Sequence, residues 1–277
     1  MSNCSTCPSK GSCGKQEDSC GITNNAKNKI KHVIGVMSGK GGVGKSSMSV
    51  LLAKEMTRRG YKVGIMDADI TGPSIPRLMG LIHEKAYGTN DAIQPVVDKD
   101  GIKVMSLNFL MDDENQPVVW RGPIVGNAVK QFWTDVIWEE LDYLFIDMPP
   151  GTGDVALTVL QSIPVNGVIM VSTPQPMVSM IVSKAINMCK QVNVDVLGII
   201  ENMSYVTCPD CGKRIEIFKH KNIEEFLETN NMELWAELPM MDSISEIYKD
   251  DDFDEATVQE MYAAISGAAD KLIERMK

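Results

Sequence analysis

No stretch of this 277-residue chain approaches the roughly 18 consecutive apolar residues that a membrane-spanning helix needs. Its first residues, MSNCSTCPSKGSCGK, hold no apolar segment of the kind a secretory signal requires, so a cytoplasmic protein is expected. Positive charge is scarce as well: 27 Lys and Arg face 37 Asp and Glu, for a net charge of −10. Neither nucleic acid nor an anionic membrane is therefore an expected partner, because both attract basic surfaces. There is no internal repeat, and no second Cys-x-x-Cys follows Cys208 and Cys211 within the span of a zinc ribbon. The cysteines number seven, and an odd count favours metal or redox chemistry over a disulfide framework.

What is present is the material for a sizeable core, with 44% hydrophobic and 23% charged residues. Residues 1–30 stand apart: Ser, Asn, Gly, Lys and four cysteines, with almost nothing to bury. Such a segment is expected to be a flexible tail unless a metal organises it. From Val33 onward, short apolar runs alternate with stretches of helical spacing. HVIGVMSG, YKVGIMDAD, GIKVMSLNF, LDYLFID, NGVIMVSTP, VDVLGIIENM and ELWAELP read as strands. Helices are expected between them, over Gly44–Arg59, and over about 243–249 and 255–276. The pattern predicts one doubly wound α/β domain over residues 31–277, a mostly parallel sheet with helices on both faces.

GKGGVGKS, from Gly39 to Ser46, fits G-x-x-x-x-G-K-[ST] between an expected strand and an expected helix. Backbone amides of Gly39, Lys40, Gly41, Gly42, Val43 and Gly44 would cradle phosphate oxygens, with Ser47 beside them in the first helical turn. Lys45 would neutralise β- and γ-phosphate charge and Ser46 would ligate Mg²⁺, which makes ATP the expected ligand. Asp67 and Asp69 sit at the carboxyl end of the second strand, where open α/β sheets bind ligands. Asp147 ends another apolar strand, in the position of a carboxylate that holds Mg²⁺ through water. Gly151 and Gly153 follow it and would let that loop respond to a γ-phosphate. Asn202 is expected to meet an adenine through its amide, with Pro239 on the other side of the base.

The second lysine, Lys40, gives the loop the form Gly-Lys-Gly-Gly-x-Gly-Lys-Ser, which resembles the deviant Walker A of the SIMIBI-class ATPases. That resemblance implies that Lys40 reaches a partner's nucleotide across a homodimer, that Asp69 orients the attacking water, and that Asp67 lies nearer Mg²⁺. MSGKGGVGKS, DADITGPSIPRLMG, VVWRGPIV, DYLFIDMPPGTGD and IENMSYVTCPDCG together resemble the Mrp/ApbC/Nbp35 group of iron–sulfur cluster carrier ATPases, over about residues 30–275. The likeness implies catalysis by Lys40, Lys45 and Asp69, and a transient cluster bridged by Cys208 and Cys211 and passed to apoproteins.

The pair also speaks for itself. Two thiolates per chain become four at a two-fold axis, the ligand set of a 4Fe–4S cluster. Zinc remains a rival, as does a contribution from His220, nine residues after Cys211. In the tail, Cys4, Cys7 and Cys13, with Cys20 beyond them, could hold a further cluster or another thiophilic metal. Cys189 lies at helical spacing and reads as a core residue. The competing reading of the whole chain is a MinD/ParA-type positioning ATPase with a structural zinc at the Cys pair. The acidic run Asp250–Asp251–Asp252 argues against the lipid-binding version of it.

Overall fold

The computed structural model describes residues 24–277 apart from 71, 90–91, 112–119, 121, 176–177, 209, 219–222 and 245. Cys4, Cys7, Cys13, Cys20 and His220 therefore lie outside the described residues. The chain opens with β1 (Lys29–Ser38), whose end leads through the glycine-rich loop into α1 (Lys45–Arg58). β2 (Val63–Asp67), a short α2 (Ile75–Leu78) and the hairpin of β3 (Tyr87–Thr89) with β4 (Ala92–Gln94) follow. Then come β5 (Val96–Val97), β6 (Lys103–Met105), α3 (Gly122–Thr134), β7 (Glu140–Asp147) and α4 (Asp154–Ser162). β8 (Gly167–Ser172), α5 (Val178–Gln191), β9 (Val196–Thr207) and β10 (Arg214–Glu216) lead to α6 (Ile223–Asn230), β11 (Leu234–Pro239) and α7 (Glu255–Arg275).

Among the described residues, nine strands form one sheet in the order β10-β9-β8-β1-β7-β2-β6-β5, with β11 also pairing β9. β1 lies at its centre, parallel to β7 on one side and β8 on the other. Alternation along the strands builds two cores. Ile34, Val36, Tyr143 and Phe145 face α1 and α7, against Met48, Leu51, Met261 and Ile265. Val33, Met37, Leu144 and Ile146 face the other layer, against Val129, Phe132, Val159 and Ile186. Both sheet faces are thus covered, as the near-continuous apolar strands require. No helix among the described residues is long and apolar enough to cross a membrane.

Local chemistry sets the ends of these elements. α7 starts at Asp254, whose carboxylate accepts the backbone N–H of Thr257 at 2.8 Å, the geometry that satisfies an otherwise orphaned helix donor. The strand expected over GIKVMSLNF ends earlier, at Met105, and Leu107–Leu110 turns as a 3-10 helix. The break falls at Ser106, whose hydroxyl donates to Asp67 and whose carbonyl accepts from the Phe109 N–H. The helix expected near 243–249 is two 3-10 turns, Asp242–Ile244 and Ile247–Asp252. The antiparallel edge strands β5 and β10, only 2 and 3 residues long, carry too few positions to show a period.

Candidate functional site

Asp67, Asp69 and Asp147 collect at the carboxyl edge of the parallel strands, around the loop between β1 and α1. Gly44, the last residue before α1, has φ +83°, and a Cβ there would stand 2.3 Å from Asn202 Nδ2. Only glycine meets both demands. A Cβ at Gly41 or Gly42 would meet nothing within 4 Å, so the crown of the loop borders open space through which an anion can approach the first amides of α1.

Lys45 is 6% exposed, and its Nζ lies 2.8 Å from Asp147 Oδ2 and 3.8 Å from Asp69 Oδ2. Asp147 Oδ2 also accepts from Ser46 Oγ at 2.6 Å, while Oδ1 accepts from Ser49 Oγ at 2.8 Å. The parallel register of β2 and β7 sets Asp67 opposite Asp147, and both are fully buried. Asp67 Oδ2 accepts from Ser106 Oγ at 3.1 Å, and Oδ1 from the Asp69 N–H at 3.2 Å. Burial first, and then the neighbouring Asp147 charge, push the Asp67 carboxyl up to about 8, against the pull of Lys45. The cluster is therefore short of positive charge: two buried carboxylates, with Asp69 beside them, share one lysine. Hard oxygen donors suit Mg²⁺ rather than a softer metal, and Ser46 with Asp147, already joined by a hydrogen bond, would be the residues to hold it.

Lys40 is partly buried. Its carbonyl accepts from Ser38 Oγ at 2.9 Å, and its Nζ donates to Gln175 Oε1 on the loop after β8. Asn202 is 3% exposed and its amide nitrogen donates to Val43 O at 3.0 Å. The amide expected to face an adenine is thus engaged with the phosphate loop itself. Pro239 is buried at the end of β11, in register with Tyr205 of β9. The loop after β7 is tied back to β1 by the Gly151 N–H, which donates to Ser38 O at 2.8 Å.

Cys208 and Cys211 occupy the turn between β9 and β10. The Cys208 N–H donates to Lys213 O at 3.0 Å, and the Gly212 N–H to Cys208 O at 2.9 Å. Gly212 turns the chain with φ +68°. Cys208 is half-buried and Cys211 exposed. Backbone N–H groups of Asp210 and Cys211, and the Cys211 thiol, all hydrogen-bond to Cys208 and hold its thiol below the usual range. Among the described residues, no group of three or more His, Cys, Asp or Glu side chains converges on a metal position. Cys189 is fully buried, 3.9 Å from the Met37 sulfur, and burial pushes its thiol up to about 11.

Ser49, Ser106 and Gln175 are contacts that motif reading missed. Ser49 lies one helical turn after Ser46 and so shares its face, a signal the sequence did contain. Ser106 and Gln175 arrive from remote strands and carry no local signal.

Comparison with known proteins agrees with this geometry. A family model described as "ParA: NUBPL iron-transfer P-loop NTPase" matches residues 29–276. A Clostridium perfringens protein named iron-sulfur cluster carrier protein is 46% identical over 254 residues, 87% of this chain and 89% of its own. A Methanocaldococcus jannaschii protein of the same name is 46% identical over 244 residues, 86% and 83% of the two chains. Among solved structures, a nucleotide-binding protein from Archaeoglobus fulgidus in complex with ADP superposes with a TM-score of 0.70 at 42% identity, covering 79% of this chain and 87% of that one. MinD from Aquifex aeolicus, at a TM-score of 0.58 and 17% identity over 88% of this chain and 97% of its own, shares the fold alone. A family match across nearly the whole described chain, together with an intact phosphate loop, means that this chain belongs to the NUBPL-type iron-transfer P-loop NTPases.

Proposed function

We propose that this protein is an ATP-hydrolysing carrier of iron–sulfur clusters that works as a homodimer and delivers its cargo to apoproteins. The observation that carries the reading is the Cys208–Cys211 turn: two thiolates, one of them exposed, on a chain that adds no third ligand among its described residues. A second copy related by a two-fold axis doubles the pair to four sulfurs, the set that holds a 4Fe–4S cluster. The relatives' shared name, iron-sulfur cluster carrier protein, supports the same cargo.

In this reading the amides of the glycine loop and of the α1 N-terminus bind the phosphates, and Lys45 neutralises their charge. Mg²⁺, when bound, would supply positive charge against the negative charge that develops on the phosphates. Ser46 and Asp147 would hold it, with Asp67 completing the acidic set. Asp69, near Lys45 at the open side of the cluster, orients the attacking water, and Lys40 crosses to the partner's nucleotide. β9 runs from one site to the other: Asn202 braces the phosphate loop, and the same strand ends at Thr207, one residue before Cys208. A movement of the loop on ATP binding can therefore be felt at the cysteine turn.

The test is anaerobic reconstitution with iron and sulfide, comparing wild type with the Cys208→Ala/Cys211→Ala variant. Loss of about two irons per chain together with the bridged dimer in native mass spectrometry is the expected result. Iron that stays with the double variant would report on Cys4, Cys7, Cys13 and Cys20. Tight zinc at the pair with no sulfide uptake would overturn the reading.

A further inference from the structure

Lys40 is the residue on which the closed dimer turns in the function proposed above, and the structure gives it a partner in its own chain. Its ammonium donates to Oε1 of Gln175, while its backbone is fixed by the Ser38 hydroxyl on its carbonyl. Gln175 is itself held. Its N–H donates to Thr173 O at 2.8 Å, closing a tight turn directly after β8. The Ser172 hydroxyl donates to the same carbonyl at 3.3 Å. β8 is the parallel neighbour of β1, with Val171 in register with Ser38. The acceptor is thus mounted on a rigid strand end beside the phosphate loop.

The chemistry of the contact is as informative as its position. A lysine ammonium has three donors and no acceptor, so it rests wherever an oxygen is offered. A carboxylate at position 175 would hold it as an ion pair. A neutral amide holds it by one hydrogen bond, firm enough to choose a rotamer and weak enough to exchange for a phosphate oxygen.

We infer that Gln175 is a positioning residue for Lys40: its amide oxygen keeps the ammonium over its own chain and sets how readily that lysine is handed to the nucleotide of a second copy. The inference rests on the homodimer of the proposed function. In it, closing the dimer breaks one neutral-acceptor hydrogen bond and forms charge-assisted ones to phosphate. The residue at 175 therefore acts on the association equilibrium, not on the affinity of a single chain for nucleotide.

The experiment measures dimerisation against protein concentration, by sedimentation with saturating ATP and Mg²⁺, for wild type, Gln175→Ala, Gln175→Glu and Lys40→Ala. Gln175→Ala releases the ammonium, so its dimer midpoint falls to about a tenth of the wild-type concentration. Gln175→Glu replaces the amide by an ion-pairing carboxylate, so its midpoint rises by a similar factor. Lys40→Ala loses ATP-dependent dimerisation. ADP affinity at concentrations where the chain is monomeric stays unchanged in both Gln175 variants. At low protein concentration, Gln175→Ala raises turnover per chain and, because ATP binding and closure are linked, lowers the apparent KM for ATP. Opposite shifts by the two Gln175 substitutions are the signature, because a merely structural role would weaken the dimer in both. If wild type closes on ATP and the two variants shift alike or not at all, this inference is overturned and the carrier reading stands. If wild type itself shows no ATP-dependent dimer, this inference falls together with the role proposed for Lys40, and the carrier reading is decided by the reconstitution of the Cys208–Cys211 pair.

Discussion

Asp67 and Asp147 stand opposite one another on the adjacent parallel strands β2 and β7, both fully buried, with Lys45 2.8 Å from Asp147. Two carboxylates in such a place share a deficit of positive charge, and the deficit shows as a proton on Asp67. Its carboxyl is raised to about 8, through burial first and the Asp147 charge second. Protonation of Asp67 relieves that deficit by neutralising one negative charge. A divalent cation arriving with a nucleotide does the same without the proton.

The sign of the resulting pH effect follows from that direction. The ordinary Asp67 value is 3.8 and the folded value is about 8, so the folded chain keeps a proton that the unfolded chain releases. This group's contribution is fully present below about pH 4 and is lost as pH rises towards 8. Metal-free wild type should therefore lose Tm relative to Asp67→Asn across that window. Mg²⁺ affinity should rise with pH over the same window. Parallel Tm profiles for the two proteins would contradict the assignment.

Asp147→Asn keeps the shape of the side chain and removes the charge that pairs Lys45 and accepts from Ser46 and Ser49. ATP hydrolysis should fall on the order of 100-fold. Nucleotide binding should persist and lose most of its dependence on Mg²⁺. Calorimetric titration with ADP, with and without Mg²⁺, separates the two effects.

At Gly44 the backbone is left-handed and a methyl would collide with Asn202 Nδ2 at 2.3 Å. Gly44→Ala should cost about 1–3 kcal/mol of stability and abolish nucleotide binding. Asn202→Ala removes the collision partner but not the strain, so the double variant should recover part of the stability. Chemical denaturation of the four proteins in the cycle measures it.

Asn202→Ala alone tests the role of β9. It removes the bond to Val43 O while leaving both cysteines in place. Nucleotide-dependent cluster transfer to an apoprotein should lose its nucleotide dependence, with cluster loading unchanged. A transfer rate that still responds fully to ATP would show that the signal travels elsewhere.

Thiol reactivity should follow environment. Backbone N–H groups lower the Cys208 thiol, whereas burial raises that of Cys189 to about 11. Among the described cysteines, iodoacetamide at neutral pH should modify Cys208 first and Cys189 only after unfolding, as read by peptide mass mapping. Iron and sulfide bound at the turn should protect Cys208 and Cys211 together.

What the sequence by itself determined is whatever depends on neighbours along the chain. Apolar runs with a strand's period, glycines spaced for a phosphate loop, and Lys45 followed by Ser46 at a helix start all act within a few residues. The same holds for Cys208 and Cys211 in one turn, which is why fold class, nucleotide loop and the Cys-x-x-Cys turn could be read directly. The tertiary structure alone decided which residues from distant strands meet. Strand order put Asp67 beside Asp147, and that neighbouring charge adds to burial in raising the Asp67 carboxyl. The break after β6 sent Ser106 to Asp67, and β8 lying next to β1 brought Gln175 to Lys40. Asn202, read from its loop as a partner for a base, is carried by β9 to the phosphate loop, where its amide nitrogen donates to Val43 O. No local pattern encodes these meetings, because each depends on the packing of the whole sheet and on where buried polar groups find partners once water is excluded.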